Sequence, residues 1–227
     1  MPSLSDFARF FAAVTAADVI IGVGVTCAIL VLLSDWRLSL LALTVQYLLV
    51  TVLLSTIVQL EVAMVRLIGG GLVAVMLYIT AQRVRRNWMR RARSAGWNNA
   101  GEVAVLFERE SFMIGWPFRL IALALVGVSV ITLAGQLPFP NAPVTFWMVS
   151  LWLCTVGVLL AAITRDALKL GMGLLTFTMG FSLLYLSVEP SLLFFGLLLI
   201  VDLVIALAVS HLASAPVRTG KKRRGET

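Results

Sequence analysis

Six polar or charged side chains inside otherwise apolar stretches are the groups that could do chemistry: Asp18, Gln46, Arg66, Lys169, Thr178 and Asp202. Asp202 is the most informative. It stands near the middle of Ser191–Ala213, a run built almost entirely of Leu, Ile, Val, Phe and Ala. A carboxylate at the centre of a bilayer costs several kcal/mol unless it is paired, protonated or hydrated. Such a residue marks a proton or ion pathway, or it serves as a hydrogen-bonding link between helices. Asp18 and Arg66 each fall some turns from one face. They either pair with each other, or Arg66 carries its charge outward on its long stem. Lys169 and His211 fall near the ends of their runs, where the membrane interface is expected.

The remaining chemistry is sparse. Cys27 and Cys154 lie inside apolar runs and read as small buried hydrophobes. One histidine and two separated cysteines leave no ligand set for zinc, haem or an iron–sulfur cluster. No nucleophile elbow, phosphate loop or His-Glu metal motif is present. The expectation is a chain without catalytic residues and without a cofactor.

Elements that position these groups follow from composition. The chain has 227 residues, 60 % of them hydrophobic and only 13 % charged, with mean hydropathy +1.01. A soluble domain carries about twice that charge fraction. The expected fold is all-α and polytopic, with seven transmembrane helices at Phe11–Leu33, Leu38–Val58, Val62–Ala81, Phe118–Gln136, Val144–Ile163, Ala167–Leu186 and Ser191–Ala213. The first run is long enough to span and is not followed by a small-residue cleavage site, so no cleaved leader is expected. Gly69-Gly70-Gly71 in the third run, and Gly171, Gly173 and Gly180 in the sixth, are expected to let neighbouring helices approach closely.

Charge distribution suggests the orientation. Arg83, Arg85, Arg86, Arg90, Arg91, Arg93, Arg109 and Arg119 crowd one polar stretch, and Arg218, Lys221, Lys222, Arg223 and Arg224 crowd the tail. Arg37, Arg165 and Lys169 lie at two other turns. Seven alternating spans bring all of these to one face, which the positive-inside rule makes cytoplasmic, with the N-terminus outside. The expected location is the cell inner (plasma) membrane. The basic residues match anionic headgroups, so membrane lipid is the expected partner and nucleic acid is not.

Alternation also implies a repeat. Residues 1–81 form a first three-helix unit and 137–213 a second of the same sense. Residues 118–136 connect them. Residues 82–117 form a basic loop, in which Val103, Leu106, Phe107 and Ile114 suggest an interfacial helix. A basic tail follows at 214–227.

Three stretches resemble a known family. Trp36-Arg37-Leu38-Ser39, with Gln46 seven residues on, resembles the start of the second helix of the membrane subunit hydrogenase-4 component E. Thr164-Arg165-Asp166-Ala167-Leu168 with Gly173 resembles that subunit's corresponding turn and helix. Val201-Asp202-Leu203-Val204-Ile205-Ala206-Leu207 resembles its last helix, which also carries an acid. The second half is similar to NADH-quinone oxidoreductase subunit K, chain 4L of respiratory complex I. The resemblance covers roughly residues 15 to 213. It implies a non-catalytic subunit that extends a buried proton or ion axis and braces antiporter-like membrane subunits, with redox groups on other chains. Asp202 matches the acid of the last helix. The family's other acid falls around Leu175–Thr178, where this chain has no carboxylate.

Two other classes stay open on the residues alone. One is a stand-alone small ion transporter or channel lined by Asp18, Arg66 and Asp202. The other is a structural anchor that docks a cytoplasmic partner. Counted along its run, Asp202 is about 15 Å deep. No Lys or Arg reaches that depth by the same count. Asp202 is therefore expected to be protonated or water-linked and to face the bundle interior or a partner subunit. Asp202→Asn is expected to leave assembly intact while reducing ion coupling.

Overall fold

Two aspartates begin helices in the same way. Asp35 Oδ1 accepts from the Arg37 N–H at 3.0 Å, and Asp166 Oδ1 accepts from the Leu168 N–H at 3.3 Å. Each satisfies a backbone donor that the first helical turn leaves without a partner. A computed structural model describes residues 16–56, 58, 60–94, 115–134, 136, 144–188 and 192–214. Among these residues it has seven helices: α1 (Ala16–Leu32), α2 (Trp36–Leu54), α3 (Leu60–Ser94), α4 (Trp116–Ala134), α5 (Val144–Ile163), α6 (Ala167–Val188) and α7 (Leu192–Ser214). Six are long and apolar enough to cross a membrane, and the described apolar part of α1, Asp18–Leu32, is shorter. The expected all-α, seven-helix architecture is borne out.

One boundary differs by several turns. The apolar run of α3 ends near Ala81, but the helix continues to Ser94, through residues expected to be loop. The extension holds arginines, which favour helix, and no Pro or Gly. The expected interfacial helix and the basic tail lie outside the described residues.

Contacts fix the alternation of the helices. Lys169 Nζ donates to the Leu33 carbonyl, and Arg119 donates to the Leu32 carbonyl at 3.4 Å. The Trp36 and Tyr78 rings meet at 6.0 Å, and Thr80 bonds Ser210 at 2.7 Å. One end of the bundle therefore gathers the starts of α2, α4 and α6 with the last membrane turns of α1, α3 and α7. Arg119 and Lys169 serve there as cationic caps on the carbonyl end of α1. Lys169 is expected near the membrane interface, and it does lie in the first turn of α6. There it is buried, with its ammonium on that carbonyl.

Helix pairing has an internal symmetry. The main contacts join α1 to α2, α4 and α5; α2 to α3 and α6; α3 to α7; α4 to α5; α5 to α6; and α6 to α7. Exchanging α1 with α5, α2 with α6 and α3 with α7 leaves this set unchanged. α4, the connector, touches both α1 and α5. This is the contact pattern of two parallel three-helix units facing each other.

Glycine sets the tightest contact. A Cβ added at Gly157 would stand 2.5 Å from the Phe177 nitrogen and 2.7 Å from the Gly173 oxygen. One at Gly180 would stand 2.6 Å from the Cys154 nitrogen. α5 and α6 thus touch backbone to backbone, and Ser150 Oγ adds a 2.7 Å bond to the Gly180 carbonyl. Lipid exerts no hydrophobic pressure between helices, so close backbone approach and interhelical hydrogen bonds supply the association. Outward, Ile21, Ile68, Leu125, Leu193 and Leu207 are exposed. An apolar surface of this kind belongs in lipid. The protein is a multi-pass membrane protein.

Candidate functional site

Four helices converge on Asp202. Its carboxylate is almost fully buried, with 4 % of the residue accessible. Thr178 Oγ of α6 lies 2.6 Å from Oδ1. On the other oxygen, the Tyr47 hydroxyl of α2 donates at 3.5 Å, and Arg66 Nη2 of α3 approaches to 3.4 Å. Arg66 is itself 1 % accessible. None of its guanidinium nitrogens makes a hydrogen bond to a described residue, so the pair is an ion contact without hydrogen-bond geometry. The guanidinium carbon also lies 5.9 Å from the Phe195 ring centroid, within cation–π range.

This geometry corrects two expectations. Arg66 neither snorkels nor pairs with Asp18; it pairs with Asp202. A cation does reach the depth of the carboxylate. Arg66 follows the start of α3 by six residues, about 9 Å, and Asp202 follows the start of α7 by ten, about 15 Å. The long arginine stem spans the difference. Moving two charges into hydrocarbon separately would cost far more than moving them as a contact pair. Asp18 is exposed in the first turn of α1, and Arg66 is engaged elsewhere.

Gln46 forms a neighbouring cluster. It is fully buried, and its Nε2 donates to Cys27 Sγ at 3.3 Å, while Oε1 has no partner among the described residues. Cys27 is thus a buried hydrogen-bond partner as well as a small apolar filler. Both cysteines are free thiols. Lys169 belongs to the cap described above and not to the Asp202 group. No cluster of His, Cys, Asp and Glu suited to a metal occurs among the described residues.

Sequence reasoning missed Tyr47 as a site residue. Counting would have found it. Tyr47 follows the capping residue Asp35 by twelve positions, and Thr178 follows Asp166 by twelve. The two side chains that reach Asp202 from α2 and α6 are therefore equivalent in the repeat. Gly70 on α3 gives the Tyr47 ring its place, since a Cβ there would collide with the ring carbons Cδ1 and Cγ. Gly70→Ala is expected to cost about 1–3 kcal/mol by overpacking. Most of that cost should vanish in a Tyr47→Leu background. Melting midpoints of the four proteins of this cycle measure it; equal costs in both backgrounds would refute the contact.

Comparison with known proteins identifies no relative: the chain matches no family model, no curated protein and no solved structure.

Proposed function

We propose that this chain is a non-catalytic subunit of an inner-membrane assembly of the hydrogenase-4 or complex-I-related kind. In it the cluster around Asp202 forms part of a buried axis for protons or ions. The family assignment draws on the three stretches around Gln46, Asp166 and Asp202. The site assignment draws on one observation: a buried carboxylate held by a cation and two hydroxyls from three other helices.

The direction of the polar groups favours a subunit over a stand-alone channel. Cys27 and Gln46 link α1 to α2, and Tyr47, Arg66, Thr178 and Asp202 link α2, α3, α6 and α7. The band runs across the bundle. Along α3, fully buried Val73 and Leu77 separate Arg66 from the Thr80–Ser210 pair. A path that crosses a subunit sideways needs neighbouring membrane subunits to enter and leave it. The chain's partners on this reading are antiporter-like membrane proteins and the surrounding lipid.

Native purification tests the assignment. Antiporter-like and oxidoreductase subunits are expected to co-purify in fixed ratio. A monodisperse chain that moves ions alone in vesicles would replace this reading with the transporter. The same membranes test orientation. A cysteine at position 90 is expected to react with an impermeant maleimide only from the cytoplasmic side, and labelling from outside would invert the topology.

A further inference from the structure

Thr178 has more acceptors than protons. Its Oγ lies 2.6 Å from Asp202 Oδ1 and 2.9 Å from the carbonyl of Leu175, one turn back on its own helix. A hydroxyl has a single hydrogen to donate and can also accept. Only one of the two contacts can use that hydrogen at a time. When Asp202 is charged, Thr178 donates to Oδ1. When Asp202 carries a proton on Oδ1, the acid donates to Oγ, and the hydroxyl turns to the Leu175 carbonyl. Neither state leaves a buried donor or acceptor on this side of the carboxyl group without a partner.

The other side tolerates both states as well. Arg66 meets Oδ2 at 3.4 Å without a hydrogen bond, and it also faces the Phe195 ring. The Tyr47 hydroxyl can donate to Oδ2 whether Asp202 is charged or neutral. Among the described residues, Arg66, Tyr47 and Thr178 are the charged, titratable and hydroxyl groups that meet Asp202 from α3, α2 and α6.

We propose that Thr178 is a two-way hydroxyl switch that positions Asp202 for reversible proton uptake. This role rests on the proposed function above. Proton uptake forms one O–H bond, on Oδ1, and breaks one O–H bond of a hydronium ion arriving along the proposed axis, which leaves as water. No covalent bond of Thr178 changes; its hydroxyl rotates about Cβ–Oγ. The fixed backbone acceptor at Leu175 is what lets the rotation occur without loss of hydrogen bonding, and a buried polar group left unpaired would be costly.

Thr178→Val keeps the shape and removes the switch, whereas Thr178→Ser keeps the switch. Both are made in the whole assembly in native membranes and in the full-length chain in lipid nanodiscs. Two readouts are taken: coupled ion movement as a function of pH, and the infrared carboxyl band that appears on acidification. That band is assigned to Asp202 by its absence from Arg66→Met/Asp202→Leu. Thr178→Val is expected to assemble, to lose about tenfold or more in coupled turnover, and to shift the Asp202 band to higher frequency. Thr178→Ser is expected to restore both. A Val variant with full coupling and an unmoved band would overturn the switch, and so would losses that Ser does not restore. If the assembly shows no coupling that depends on Asp202, the proposed function fails separately, and the infrared arm still decides the role of Thr178.

Discussion

Arg66→Met and Asp202→Asn should each destabilise the bundle by about 3–5 kcal/mol, and Arg66→Met/Asp202→Leu should recover most of the loss. Each single change leaves one buried charge without its counter-ion. The double change replaces both charges with apolar groups, which hydrocarbon and a packed core accept. The melting midpoint of the purified chain in nanodiscs checks this. Singles and double falling together would mean that the two residues do not act as a pair. The prediction also revises what Asp202→Asn can report. On sequence alone, asparagine looks like a conservative probe that spares assembly. With Arg66 1 % accessible and 3.4 Å away, it becomes a charge-unbalancing change. Loss of activity in that single variant would therefore not separate chemistry from folding.

Gly157→Leu should have a comparable effect by a different route. The atoms opposite Gly157 are the backbone of Phe177 and Gly173, which cannot rotate away as a side-chain tip can. Accommodating the new side chain requires α5 and α6 to separate. That weakens the Ser150–Gly180 bond and the matching approach at Gly180. Even Gly157→Ala should cost at least the 1–3 kcal/mol usual for overpacking, about as much as several interhelical hydrogen bonds in lipid. Gly24→Ala is the control, because a Cβ there meets no described residue within 4 Å. Solubilised yield and melting midpoint should fall sharply for the Gly157 variants and stay level for Gly24→Ala. Equal behaviour at the two positions would contradict the backbone contact.

The sequence made some of this legible for simple reasons. Long apolar runs separated by short polar turns place seven helices, and tight turns make successive helices antiparallel. A lone carboxylate in a leucine-rich run announces itself, so Asp202 was visible. Its cation was not. Arg66 lies about a turn nearer the face at which both α3 and α7 start, and hydropathy says nothing about which helices touch or how far a side chain leans. Tyr47 was legible as one polar group of its span beside Gln46 and Thr44, but nothing in that marks it as a partner of Asp202. Only the parallel spacing from Asp35 and Asp166 singles it out. α3 ran past its apolar limit because helix propensity continues where hydrophobicity stops. Thr178 appeared among the candidates, and its acceptor at Leu175 follows the common bonding of a helical Ser or Thr to a carbonyl one turn back; that its hydroxyl also reaches Asp202 depends on which helices pack together.

Coupled ion movement by the whole assembly carrying Arg66→Met/Asp202→Leu tests the central claim most directly, because that variant is expected to keep the fold while removing the charge pair. In native membrane vesicles, the assembly is expected to form with its normal partners and to show coupled ion movement reduced to background. Coupled movement at the unmodified level in a fully assembled double variant would contradict the account and leave Arg66 and Asp202 as structural links between helices.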